Sequence, residues 1–251
     1  MTFDPWSHYD IKHVSPSACN RFMSSPALYL QEYVFKLRSP VGPAAHRGSS
    51  CELGIVAGLV QGKPLGECQN IALTEFDRLT ALSPDPRKEK ERGAVPKIVA
   101  MGIEELKGYG PPTSTQGEVR WHVDGLGVPF KGFYDMAWAN HGIITDLKTT
   151  LALPSKISSA HARQVALYNA AAGDNFSARV TYVTPSKSAT YQLENARDHM
   201  KSLERCALTI QRFLSLSKDK YELASLVIPD VDGFYYSDSK ARQIAFDIWG
   251  I

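Results

Sequence analysis

The sequence predicts an α/β fold, a central mixed β-sheet flanked by helices with further helical segments before and after it. Three observations predict it. Apolar residues keep helical spacing through most of the first hundred positions. From residue 118 to 149 the pattern switches to β-rich runs separated by Asp-Gly, Gly and Asn-His-Gly turns. A helix, a strand and more helices then follow, an order that fits a mixed sheet with helical cover. The expected organisation is a single domain over 1–251: mainly helical over 1–115, a β-meander, helix and strand core over 116–185, and helical again over 186–251.

The elements can be justified in order. Ser15-Pro16-Ser17 reads as a helix start, with a Ser cap and Pro in the first turn, and Ser25-Pro26 restarts a second helical stretch covering Leu28, Tyr29 and Tyr33. A further helix is expected over about 43–59. The segment 83–92 is a turn followed by a dense mix of charges, read as a solvated helix face in preference to a binding strip. Ile98, Val99, Gly102, Ile103 and Leu106 keep helical spacing, and 108–115 reads as a loop. Strands are expected over 118–123, 128–138 and 143–149 as an antiparallel meander, then a helix over 159–172 closed by Gly173. A short strand over 178–183, another around Thr190, an amphipathic helix over 194–215 and a last helix from Ser237-Asp238 to Trp249-Gly250 complete the chain.

Composition narrows the function classes. With 251 residues, 43% hydrophobic and 10% aromatic, the chain can build a real core and is neither disordered nor collagen-like. No apolar run approaches the roughly 18 residues of a membrane span, and the opening Met1-Thr2-Phe3-Asp4-Pro5-Trp6 lacks the basic-then-apolar grammar of a signal peptide. The cysteines at 19, 51, 68 and 206 form no Cys-x-x-Cys pair, which supports neither a disulfide framework nor a zinc or iron–sulfur site. A reduced cytoplasm is the expected location. The net charge of +2 sets up no strong global field, so a polyanion would have to be met by a local patch. No Gly-rich phosphate loop occurs, which argues against an intrinsic ATPase, and His13, His46, His122, His141 and His161 never pair at ligand spacing.

The most informative stretch runs from Phe130 to Thr149. Asp135, Asp146 and Lys148 stand inside runs that otherwise read as buried strand, and Asp is a poor strand residue whose burial costs several kcal/mol unless compensated. With a two-residue turn at Asn140-His141, or a four-residue loop using Ala139 and Gly142 as well, cross-strand partners have numbers that add to 281, so 135 faces 146. Lys148 shares that face. Two carboxylates about 5 Å apart repel by roughly 3 kcal/mol at an effective dielectric of 20. A divalent cation turns the repulsion into ligation, and oxygen ligands with retained waters are the preference of Mg²⁺ or Mn²⁺. Two other Asp/Glu-x-Lys matches fail on context: Glu105-Leu106-Lys107 lies on a helical pattern, and Asp238-Ser239-Lys240 reads as a helix cap running into helix. Without further context, the alternative to a metal site is a cross-strand ion cluster on a wet sheet face.

Gly132-x-x-Asp135, then Asp146-Leu147-Lys148, then Gln164-x-x-x-Tyr168 on the next helix resembles the PD-(D/E)XK nuclease superfamily, within it the RecB-like and phage-exonuclease branch. Ser15-Pro16-Ser17, Ser25-Pro26, Arg47-Gly48-Ser49-Ser50-Cys51-Glu52 and Glu118 ahead of the hairpin fit the same branch, so the likeness spans 15 to about 185. Tyr134 stands where the superfamily name has Pro. The resemblance implies a restriction-endonuclease-like core, Mg²⁺ (or Mn²⁺) held by Asp135, Asp146 and Glu52, and Lys148 as the catalytic amine. Glu52 is a third ligand or a general base, and Gly48, one turn earlier, would allow close approach to the sheet. Gln164 and Tyr168 would face the site, Gln164 holding the Lys or a phosphate and Tyr168 touching the nucleotide. Arg47 and Arg163 are candidate phosphate contacts, and Glu118 a supporting acid. Tyr109, Trp121, Tyr134 and Trp138 could stack bases, although packing is the plainer reading. Some relatives carry an iron–sulfur cluster through a Cys at the position of Ser25, so no cluster is expected here.

The expected activity is therefore metal-dependent hydrolysis of phosphodiester bonds from DNA ends, in phage or prophage recombination or DNA processing. DNA is the partner, and a single-strand annealing protein a further one by analogy. The alternatives are a catalytically silent DNA-binding recombination accessory, an endonuclease of the same superfamily, and a structural protein whose ion cluster pins strand register. Polarity, strand preference, processivity and oligomeric state are not written in the residues.

Overall fold

In chain order the computed structural model, which describes residues 3–173, 175–236 and 239–251, begins with α1 (Pro5–His8), α2 (Pro16–Ser24) and α3 (Pro26–Tyr29). A π-helical turn at Leu30–Val34 continues α3. The helices α4 (Pro43–Gln61), α5 (Leu65–Leu79) and α6 (Lys88–Leu106) follow, then β1 (Ser114–Trp121), β2 (Phe130–Trp138) and β3 (Ile143–Thr149). Next come α7 (Ser159–Ala172), β4 (Ser177–Val183), β5 (Ser188–Gln192), α8 (Ala196–Leu214), α9 (Lys220–Ser225) and α10 (Ser239–Trp249). The described strands form one sheet in the order β1-β2-β3-β4-β5, with β2–β3 and β4–β5 antiparallel and β3–β4 parallel through α7. This is the mixed, helix-flanked sheet that the sequence predicts.

The chain divides into two compact units. One comprises 41–119 and 133–196. Its core joins Cys51 and Ile55 of α4, Phe76 of α5, and Val95, Ile98 and Val99 of α6 to Met136, Trp138, Ile143, Leu147 and Val183 of the sheet. The helix α4 starts at Pro43 and stops at Gly62, whose φ of 63° suits glycine. Its close approach to α5 rests on Gly54, where a Cβ would sit 2.6 Å from the Cys68 carbonyl oxygen. Gly48 faces the sheet, as expected, but a Cβ there would sit an ordinary 3.6 Å from Thr149 Oγ1, so that approach does not itself require glycine.

The other unit comprises 1–40, 120–132 and 197–251. Ser15 caps α2 by accepting from Ala18 N at 3.1 Å, and Ser25 caps α3 by accepting from Leu28 N at 3.2 Å, as the Ser-Pro pairs predict. The amphipathic α8 buries Met200, Leu203, Ala207, Ile210 and Leu214. The expected cap at Ser237-Asp238, with the Asp238-x-Lys240 match, lies outside the described residues.

Several local expectations change. The loop expected over 108–115 already holds a 3₁₀ turn at Lys107–Tyr109 and the start of β1, because Thr113 N pairs with Ala137 O at 2.8 Å and Ser114 meets the Tyr134 hydroxyl. Within the charged segment, Glu91 is not on a solvated face but 5% exposed. All four cysteines are buried and outside any disulfide; burial pushes the Cys51 thiol up to about 12, and its Sγ rests against Val95 O.

Candidate active site

The hairpin that carries the acids has the expected register. Met136 pairs with Thr145, Ala137 with Ile144 and Trp138 with Ile143, closed by the four-residue loop of the two alternatives, with Gly142 at φ 60°. The paired ladder ends at Met136–Thr145, one position short of Asp135 and Asp146. There the Asp135 side chain itself crosses the hairpin, its Oδ2 accepting from Leu147 N at 2.6 Å.

Asp146 is 1% exposed. Its Oδ1 accepts from Gln164 Nε2 at 2.9 Å, and its Oδ2 lies 2.7 Å from Lys148 Nζ, at an angle that leaves this buried oxygen without a well-formed hydrogen bond. Gln164 also donates to the Tyr168 hydroxyl at 2.7 Å, and that hydroxyl donates to Phe133 O at 2.6 Å. The helix α7 presents Gln164 and Tyr168 together because they are one turn apart. Its start is fixed by Ser158, which accepts from His161 N, and its end by Gly173 at φ 85°.

Glu52 reaches the same place from α4. Gln116 of β1 bridges it to Asp135: Gln116 Nε2 donates to Glu52 Oε1 and, at 3.2 Å, to Asp135 Oδ1. The structure thus brings Glu52, Asp135, Asp146, Lys148 and Gln164 together within one unit.

The charges feel one another. Burial raises the Asp135 carboxyl well above the usual carboxylate range, and the Asp146 and Glu52 carboxylates push it further; Lys148 and the Leu147 amide oppose them. Burial likewise raises Glu52, resisted by Gln116 and Lys148. For Lys148, burial works against the charge, yet Asp146, Asp135 and Glu52 offset it, and the ammonium is held above its ordinary value. Near them, burial and then Lys148 lower the His161 imidazole, whose Nδ1 meets the Tyr182 hydroxyl at 2.7 Å.

Among the described residues, no three His, Cys, Asp or Glu side chains close into a ready-made metal cage. The donor chemistry nonetheless fits Mg²⁺ or Mn²⁺: the converging ligands are all oxygens, the acids are mutually repelling, and Asp146 Oδ2 is buried and incompletely satisfied. Asp135, Asp146 and Glu52 would hold such an ion.

Other expected contacts lie elsewhere. Arg47 is 4% exposed, ion-paired with Glu91 and donating to Thr149 O at 3.0 Å, so its guanidinium is spent within the fold and not displayed to a phosphate. Tyr168 is 1% exposed and committed to Phe133 O, which makes it a framework residue and not a nucleotide contact; Gln164 holds Asp146 and not Lys148. Arg163 is half-buried beside Gln164 on α7, and Glu118 is exposed on β1. Trp138 is core, donating to Gly110 O. The residue that sequence reasoning missed is Gln116, whose φ of 51° has no readable signature beyond the Gly117 that follows it.

A family model for the PD-(D/E)XK nuclease superfamily matches residues 13–230. The structures similar to this chain include one described as the crystal structure of SSO0001, 16% identical, with a TM-score of 0.36, covering 80% of this chain and 92% of that one. No curated protein sequence matches.

Proposed function

Since this chain belongs to the PD-(D/E)XK nuclease superfamily, we propose that it is a metal-dependent DNA exonuclease of the RecB-like, phage-exonuclease branch, hydrolysing phosphodiester bonds from DNA ends in recombination or DNA processing. The observation that carries this reading is the convergence of the Glu52, Asp135 and Asp146 carboxylates with the Lys148 ammonium. A site with no cation to hold and no charge to stabilise would gain nothing from setting the Glu52 and Asp146 carboxylates against a buried Asp135 whose proton affinity they raise.

The residues divide the work. Asp135 and Asp146, joined by Glu52, hold the cation, and Glu52 has the alternative role of base toward the attacking water. The chemistry that Mg²⁺ or Mn²⁺ supplies at such oxygens is charge neutralisation on the scissile phosphate and stabilisation of the departing 3′-oxygen. Lys148, kept charged by its acidic neighbours, orients the nucleophilic water and stabilises negative charge as the water adds to phosphorus and the bond to the 3′-oxygen breaks. Gln164 fixes the Asp146 carboxylate, and Tyr168 fixes Gln164. Arg163 is the candidate phosphate contact and Glu118 the candidate supporting acid, while Arg47 serves by holding α4 to the end of β3.

Digestion of end-labelled linear and closed circular DNA, with Mg²⁺, Mn²⁺ or a chelator, tests this reading. Linear DNA should be degraded from its ends with either metal and survive with the chelator, and circles should survive throughout. Cleavage of circles would make the protein an endonuclease. Binding without any metal-dependent product would make it a silent accessory.

A further inference from the structure

Gln116 adopts φ 51°, a left-handed conformation that a non-glycine residue holds only where its surroundings fix it. The fixing is local. Gly117, the next residue, lies so close beneath the Tyr134 ring that a Cβ there would enter it, and the Tyr134 hydroxyl is tied to Ser114 at 2.9 Å. The bend turns the Gln116 side chain onto Glu52 and Asp135, where its Nε2 donates to both carboxylates.

An amide NH₂ carries two hydrogens, here one for each acid. It therefore lies between the two carboxylate oxygens, the bridging position that a divalent cation shared by the same oxygens would take. A cation repels the NH₂ end of the amide dipole and attracts its carbonyl end. The terminal torsion of Gln is broad and roughly two-fold, so a half-turn exchanges Nε2 for Oε1 without moving the backbone.

We propose that Gln116 is an amide switch: its NH₂ bridges Glu52 and Asp135 in the metal-free protein, and its Oε1 becomes a ligand of the divalent cation when that ion binds. The inference rests on the metal-dependent reading above and goes beyond it by adding a neutral ligand from β1. Neutrality suits the place. In the metal-free protein a fourth carboxylate would add repulsion to Glu52 and Asp135, both already raised by burial and neighbouring charge, whereas an amide relieves it.

The test is Mn²⁺ titration of the full chain by calorimetry, without DNA, for the wild type, Gln116→Gly and Gln116→Glu. Glycine accepts the positive φ and removes only the amide. Gln116→Gly should bind Mn²⁺ about tenfold more weakly, and water-proton relaxation should report one additional water on its bound ion. Gln116→Glu should bind more tightly than the wild type. Unchanged or tighter binding by Gln116→Gly, or no gain in Gln116→Glu, overturns the switch; tighter binding by the glycine variant would mean that the amide only plugs the site. If the wild type binds no Mn²⁺, the metal-dependent reading itself fails, whereas wild-type binding with an unaltered glycine variant removes the switch alone.

Discussion

The Asp135 carboxylate and the Leu147 amide are joined across the hairpin, Oδ2 accepting from N at 2.6 Å. A side chain thus does at this point what a backbone carbonyl does elsewhere in a sheet. One carboxylate oxygen is anchored to β3, and the other is left to face Gln116 and the neighbouring acids. The orientation of Asp135 is set by the backbone of the strand that carries Asp146 and Lys148.

This separates the two functions of Asp135 by substitution. Asp135→Asn keeps an oxygen for the Leu147 amide and removes the charge, so the protein should stay folded and lose cleavage. Asp135→Ala also strips the amide of its acceptor and should cost a further 1–3 kcal/mol or so of stability. Urea unfolding of both variants beside a cleavage assay checks this; equal stability would mean that the cross-hairpin bond contributes little.

The pair formed by Asp146 and Lys148 makes the second prediction. Asp146→Asn should abolish cleavage while leaving the circular dichroism of the fold intact. Lys148→Ala should reduce turnover by about 10³-fold, and in the absence of metal should also melt earlier, because the buried Asp146 then loses its cationic neighbour. Normal turnover by either variant with Mg²⁺ supplied would remove these residues from the chemistry.

Much of this was legible in the residues. Charges inside apolar runs marked the hairpin, the turn over 139–142 gave its register, and α7 follows from Ser158 and Gly173 at its ends. What escaped depends on partners distant in sequence. Arg47 looks like a surface arginine until Glu91 is found buried beside it, forty-four positions away. Tyr168 looks like a substrate contact until the Phe133 carbonyl takes its hydroxyl. Gln116 enters through a backbone bend forced by the Tyr134 ring on Gly117, a steric fit that no pattern of polarity encodes. The helix α5 went unassigned although Cys68, Ala72 and Phe76 recur every four positions and bury one face.

The buried Arg47–Glu91 pair carries the third prediction. With both side chains nearly inaccessible, removing one partner leaves the other desolvated and unpaired, which in such pairs costs about 3–5 kcal/mol. Arg47→Met should therefore be strongly destabilised, and Arg47→Met with Glu91→Leu should recover a large part of the loss, since neither charge then remains buried. Chemical denaturation of the two single variants and the double variant closes the cycle. A double variant no better than the worse single one would show that the bond from Arg47 to Thr149 O dominates.

The acids also set how metal-free stability depends on pH. Glu52 and Asp135 both hold their protons more tightly in the folded chain than an exposed carboxyl does, chiefly through burial. Folding therefore takes up protons between the unfolded value, about 4, and the raised native values. The stability linked to these groups is complete below that window and is lost as pH rises through the native values. Lys148 acts outside it, because its ammonium is raised and its contribution fades only on the alkaline side. In urea unfolding with chelator, stability should thus fall as pH climbs from about 4 toward neutrality, and Asp135→Asn or Glu52→Gln should flatten the fall. Excess Mg²⁺ should reverse the slope, since ligation requires the deprotonated acids and releases the protons that folding had taken up. The same slope with and without Mg²⁺ would mean that these carboxyls and the cation do not share a site.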